Sequence, residues 1–128
     1  MQSVLLAVNG TLMRGLELNP NLLAVGASFV REDRTEACYR IFSIGDRHPA
    51  MMRTPGQGAS VALELWDVPV TGLAQVLLNE PAGLAIGKVV LCDGSIVLGV
   101  LGEPFLCEGQ REITGLGGWR AYTASQRG

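Results

Sequence analysis

Charge and aromatic side chains are scarce in this chain, and the scarcity excludes several functions at once. Of 128 residues, 17% are charged and 5% aromatic, and the formal net charge is -2. A protein that neutralises nucleic-acid phosphates or docks on an anionic membrane carries a clustered basic footprint, which is missing here. Histidine occurs once, as His48, so no ligand set of several imidazoles can form. Cys38, Cys92 and Cys107 are an odd, widely spaced set without a Cys-x-x-Cys pair, which argues against a disulfide framework and a zinc site. Their neighbours are apolar, as in Leu91-Cys92 and Leu106-Cys107, so all three are read as small buried hydrophobes. The apolar runs fall far short of the ~20 residues that cross a bilayer, and Met1-Gln2-Ser3 lacks the basic start of a signal peptide. The expectation is a soluble, cytoplasmic protein without cofactor, metal, nucleic-acid partner or membrane; its oligomeric state stays open.

What is abundant is apolar residues, at 48%, and glycine, with 17 residues. A chain of this length is expected to form one domain, spanning 1–128, with a real core. The glycines are dispersed, so they punctuate many short elements rather than form a linker. Ser3 to Val8 reads as a buried strand that stops at Asn9-Gly10-Thr11-Leu12. Gly10 suits a turn with positive φ, and its missing side chain would let a ligand approach the N–H groups of Gly10, Thr11 and Leu12. The competing reading is an ordinary strand-to-loop turn. Asn19 to Gly26 reads as a short helix with Asn19 as N-cap and Pro20 in its first turn. Arg31 to Arg34 is a solvated turn or strand edge, and Tyr39 to Ile44 is a strand. The stretch from His48 to Gly58, with two prolines and two glycines, reads as a loop.

Ser60 to Val68 is a further strand, closed by Pro69. Thr71 then caps a helix in which Leu73, Val76, Leu77 and Glu80 share one face. Asp93-Gly94 joins Ile86–Leu91 to Ser95–Leu101 as a hairpin. Gly117 to Thr123 reads as a last, aromatic strand. The sum is α+β: a mixed, mostly antiparallel, curled or barrel-like sheet with a few short helices.

Taken together, these segments resemble the γ-glutamylcyclotransferase-like superfamily, and within it the C-terminal domain of allophanate hydrolase and its stand-alone relatives. The resemblance covers nearly the whole chain. It rests on Val8-Asn9-Gly10-Thr11-Leu12-Met13-Arg14-Gly15, on Leu63-Glu64-Leu65-Trp66-Asp67-Val68-Pro69, on Asn79-Glu80-Pro81 and on Gly83 to Val89. Leu91 to Ser95 and the distinctive Ile113-Thr114-Gly115-Leu116-Gly117-Gly118-Trp119-Arg120-Ala121-Tyr122 complete it. Cyclotransferases usually carry tyrosine where this chain has Asn9. The allophanate hydrolase branch tends to place histidine where it has Leu12. The amidase half of allophanate hydrolase is absent from these residues.

The resemblance implies a site in which the Asn9–Leu12 loop holds a substrate carboxylate and Glu80 moves protons, acting on a compact γ-glutamyl or urea-derived amide. Such chemistry needs preorganised donors and one carboxyl of raised pKa. Arg53, in Pro49 to Arg53, could clamp a carboxylate in bidentate fashion, and Tyr122, with Trp119 and Arg120, could close the pocket. For Arg53 a plain surface role competes; for His48 an exposed loop position does. Two functions therefore stand side by side. One is a small cyclotransferase-like or amide-hydrolysing enzyme. The other is a non-catalytic partner of a separate amidase that keeps the carboxylate-binding loop.

Overall fold

The computed structural model describes residues 2–127. Its elements, in chain order, are β1 (Ser3–Val8), α1 (Asn19–Ala24), β2 (Ser28–Arg34), β3 (Tyr39–Ile44), β4 (His48–Arg53), β5 (Ala62–Pro69) and α2 (Val70–Leu78). There follow β6 (Leu84–Val90), β7 (Ile96–Gly102), α3 (Pro104–Cys107), β8 (Arg111–Glu112), a 3-10 turn (Thr114–Leu116) and α4 (Trp119–Arg127). The strands form a five-stranded sheet, β2-β5-β1-β7-β6, and a three-stranded sheet, β4-β3-β8, not a closed barrel. Every pairing is antiparallel except β1 with β7. The α+β expectation with a curled, mostly antiparallel sheet is met.

The central place of β1 follows from its sequence. A strand hydrogen-bonded on both sides and covered on both faces reads as a continuous apolar run, and Leu6, Ala7 and Val8 are all buried. β5 lies beside it, with Leu63, Leu65, Trp66 and Val68 buried. The charged stretch Arg31–Arg34 forms the exposed edge strand β2, where solvated side chains suit an unpaired rim. β6 and β7 form the expected hairpin about Asp93-Gly94. The two sheets pack together where Gly102 meets β4: a Cβ on Gly102 would stand 2.7 Å from the Ala50 Cβ.

Four local expectations are corrected. His48–Arg53 is not loop but strand β4, because each of its residues pairs across to β3 in register, from Ile44↔His48 to Tyr39↔Arg53. The aromatic C-terminal segment is helix α4 rather than a strand; Trp119 and Tyr122 are three apart and both bury, the spacing of one helical face. Helix α2 starts directly after Pro69 without a side-chain cap, so Thr71 is inside it, and it ends before Asn79, leaving Glu80 on the bend beyond. Asn19 is the first residue of α1 rather than its cap; its side-chain amide instead donates to the Leu12 carbonyl at 2.8 Å. The reading of the cysteines as buried hydrophobes is corrected too: it holds for Cys107, but Cys38 is half-buried and Cys92, beside the Asp93-Gly94 turn, is exposed. Among the described residues no helix is long and apolar enough to cross a membrane.

Candidate functional site

Three chain segments converge beyond the C-terminal end of β1: the Asn9–Leu12 loop, the start of β4 at His48-Pro49, and the bend after α2 that carries Glu80. They enclose a cavity of about 10 Å³, room for roughly one water. Thr11, His48 and Glu80 also border an adjoining open cleft of about 340 Å³, together with Glu17, Arg47 and Asn79. A small molecule in the open cleft would therefore place one end against the inner cavity.

The loop is held with its donors free. The Gly10 carbonyl accepts from the Met13 N–H at 3.0 Å, the Thr11 carbonyl from the Leu18 N–H at 2.9 Å, and the Leu12 carbonyl from the Asn19 amide at 2.8 Å. Among the described residues, the N–H groups of Gly10, Thr11 and Leu12 donate to no protein acceptor. Occupied carbonyls and unpaired N–H groups give the loop the polarity of an anion nest. Asn9 is buried, and its Nδ2 donates to the Val100 carbonyl at 2.9 Å, tying the end of β1 to β7. The Leu12 side chain is buried in the core, so only its backbone is offered to a ligand.

Gly10 is required for a different reason from the one its sequence suggests. Its φ is not in the left-handed region. A Cβ there would lie 2.6 Å from Pro49 Cδ and 2.7 Å from Pro49 Cγ, so glycine lets the β4 start pack onto the loop. A Gly10→Ala protein is expected to lose about 1–3 kcal/mol, the usual cost of overpacking a tight contact. Urea unfolding measures it. An unchanged midpoint would show that Pro49 moves aside freely.

Glu80 is the unusual charge of the site. Its Oε2 is buried without a hydrogen-bond partner. Burial pushes its carboxyl from 4.5 up to about 7, because the charged form loses its water and gains no compensating donor. His48 Nδ1 donates to the Pro49 carbonyl at 3.0 Å, which leaves Nε2 as the ring nitrogen free to act.

Arg53 and Tyr122 are not brought to this pocket. Arg53 lies at the opposite end of β4 from His48, a distance of roughly 16 Å at ~3.3 Å per strand residue, and it faces Glu36 at 3.7 Å. Tyr122 is buried on α4 and donates to Asp46 Oδ1 at 2.5 Å, where Ser43 Oγ also donates at 2.6 Å. Asp46 is a non-glycine residue with φ 60, so these two bonds hold the strained turn that delivers His48. They also hold its carboxyl below the ordinary range.

Sequence reasoning passed over Glu64, although a carboxylate within Val61-Ala62-Leu63-Glu64-Leu65-Trp66 was signal enough. Glu64 is 1% exposed. It accepts from the Arg14 N–H at 2.9 Å, Arg14 Nε at 3.1 Å, Trp66 Nε1 at 3.1 Å and Arg120 Nη2 at 3.0 Å. It borders a separate cleft of about 440 Å³, whose lining shares no residue with the Glu80 cavities. Trp119 and Arg120 line this second cleft and not the Glu80 pocket.

The family described as allophanate hydrolase C-terminal domain matches residues 4–124. Urea amidolyase from Saccharomyces cerevisiae is 30% identical over 134 residues, which covers 94% of this chain and 7% of the yeast protein. The chain thus spans a small part of the length of the curated relatives it matches. A uropathogenic E. coli-specific protein of solved structure is similar at 62% identity and a TM-score of 0.96, covering 97% of this chain and 98% of that one. An AIG2-like protein from Mus musculus, at 20% identity, has a TM-score of 0.61 over 80% of this chain and 78% of its own. That last likeness concerns the fold alone.

Proposed function

The chain belongs to the allophanate hydrolase C-terminal domain family, and from that premise we propose a small enzyme acting on a compact amide that bears a carboxylate, of γ-glutamyl or urea-derived type. One observation carries the reading. Glu80, half-buried with its Oε2 buried and without a donor, lines the same small cavity as three unpaired backbone N–H groups. The N–H groups of Gly10, Thr11 and Leu12 hold the substrate carboxylate, and the substrate body occupies the open cleft. Glu80, as carboxylate, takes a proton from the attacking amine or water as the new bond to the amide carbon forms. It returns that proton to the nitrogen that leaves as the amide C–N bond breaks. A group with a pKa of about 7 suits both halves of this transfer at neutral pH.

The test is turnover across a panel of γ-glutamyl amines, allophanate, N-carboxylated ureas and malonamate-type acids. At least one member is expected to react, with kcat/KM rising with pH and levelling above about 7 as Glu80 ionises. A wild-type protein inert across the panel overturns the catalytic reading. The second reading, an accessory partner of a separate amidase, draws on one observation: the Asn9 amide is spent on Val100 and the Leu12 side chain on the core, so neither offers the pocket a reacting group.

A further inference from the structure

The second cleft, about 440 Å³ between β2, β5 and the start of α4, is built around a charge left over. Its carboxylates are all answered. Glu32 pairs with Arg14 at 2.8 Å, Asp33 with Arg31 at 3.1 Å, and Glu64 with Arg14 at 3.1 Å and Arg120 at 3.0 Å. Arg34 is different. Its Nε and Nη2 donate only to the Ser60 hydroxyl and carbonyl, at 3.1 and 2.8 Å, and among the described residues it meets no carboxylate. Those two bonds fix the fork while leaving the cation unneutralised. Arg34 also reaches the opposite wall, since its Nη2 lies 3.5 Å from where a Gly117 Cβ would stand.

Arg120 faces the same space from that wall. Its Nη2 is shared between the Arg14 carbonyl at 2.7 Å and Glu64 at 3.0 Å, which leaves Nε and Nη1 without a protein acceptor among the described residues. Because Glu64 is buried and held by four donors, it sets the Arg120 guanidinium rigidly. The cleft is also lined by the apolar side chains of Met13, Ala62, Leu63, Leu116 and Trp119.

We propose that this cleft is a ligand site separate from the Glu80 pocket, taking a small monocarboxylate with a compact apolar body, its carboxylate bound by the free Nη1–Nη2 edge of Arg34 and by Arg120 Nη1. A planar carboxylate matches a guanidinium fork in bidentate fashion. A dianion such as phosphate is disfavoured, because Glu32 and Asp33 stand on the rim. The site does not depend on Glu80 being catalytic.

The experiment is a ¹⁵N-amide NMR titration of the full chain with sodium butyrate, with n-butylammonium chloride and inorganic phosphate at matched ionic strength as separate arms. Butyrate is expected to saturate in the millimolar range, as such a small ligand allows, shifting the amides of Trp119, Arg120 and Ala121. The same shifts are expected in Glu80→Gln. An Arg34→Gln protein, whose fold is checked by its unchanged spectrum elsewhere, is expected to bind butyrate roughly tenfold or more weakly, the loss of a charge-assisted hydrogen bond. The proposal is overturned by any of four results: no saturation, equal binding of butylammonium, tighter binding of phosphate, or undiminished affinity in Arg34→Gln. Shifts confined to residues 10–12 place the anion in the Glu80 pocket and overturn it equally.

Discussion

Glu80→Gln is expected to impair turnover and strengthen the fold at the same time. On any substrate the wild type consumes, the rate falls by roughly 10²–10⁴-fold, the contribution of a positioned general base. Glutamine keeps the shape and cannot accept the proton. Stability moves the other way because Glu80 Oε2 is buried without a donor. Its folded carboxyl titrates near 7 against 4.5 for the ordinary group. Between those values the native protein holds a proton that the unfolded chain has released, so stability falls as pH rises through that window. At pH 8 the accumulated loss is about 3 kcal/mol, at about 1.4 kcal/mol per pH unit.

The glutamine variant, neutral throughout, escapes this loss. Urea unfolding should show the two proteins nearly equal at about pH 4.5 and the variant more stable by up to about 3 kcal/mol at pH 8. Two proteins with the same pH profile would mean that Glu80 ionises in contact with water, and the acid–base role would lose its basis. Lost turnover together with gained stability is the pattern of a residue kept for chemistry rather than for folding.

Glu64→Gln is expected to have the opposite character, with a loss of about 1–3 kcal/mol at neutral pH, the cost of losing the charge-assisted hydrogen bonds from Arg14 and Arg120. Burial alone would raise the Glu64 carboxyl. The Arg14 N–H, Trp66, Arg120 and the Arg14 guanidinium outweigh it and hold the carboxyl below its ordinary range. A glutamine whose oxygen stays on the Arg14 N–H and Trp66, which share Oε1, turns its NH2 donors against the two guanidinium groups that Oε2 accepts from. Because the folded pKa is depressed, the stability this carboxylate contributes is present above the ordinary glutamate value and is lost as pH falls through the folded one. The wild-type and variant curves should therefore converge in acid and diverge toward neutrality. A domain of this size has about 5–15 kcal/mol in all, so the variant should unfold at markedly lower urea. A midpoint within experimental error of the wild type would show that Arg14 and Arg120 find water as readily as they find Glu64.

Glu64 and Glu80 also show how far one sequence can be read. Both are single glutamates among apolar residues. The sequence places Glu80 at the end of a helix next to Pro81, and the family resemblance attaches it to the Gly10 loop. Nothing along the chain states that its Oε2 would be buried without a partner, since that depends on β4 and the loop closing over it. Glu64 is buried because β5 is covered on both faces from Leu63 to Trp66, which strand alternation does not report. Its partners Arg14 and Arg120 lie 50 and 56 residues away in sequence, beyond any local pattern.

The strands and the hairpin were legible because apolar runs bounded by turn residues report directly on backbone conformation: Ser3–Val8, Tyr39–Ile44 and the Asp93-Gly94 turn follow from residue type alone. The α+β class and the loop after β1 come with them. Long-range pairing decided the rest. His48–Arg53 looks like a loop by its prolines and glycines, yet it is a strand because β3 offers it an edge, and Pro49 is tolerated where β4 has β3 on one side only. Trp119–Tyr122 carries strand-like aromatics but follows Gly117 and Gly118, which turn the chain into a helix with both rings on its buried face. Residue type and order set which segments can bury and which residues can carry charge. Which charges lose their water and which find a partner is settled by long-range packing, because desolvation and pairing depend on what the rest of the chain places against each group.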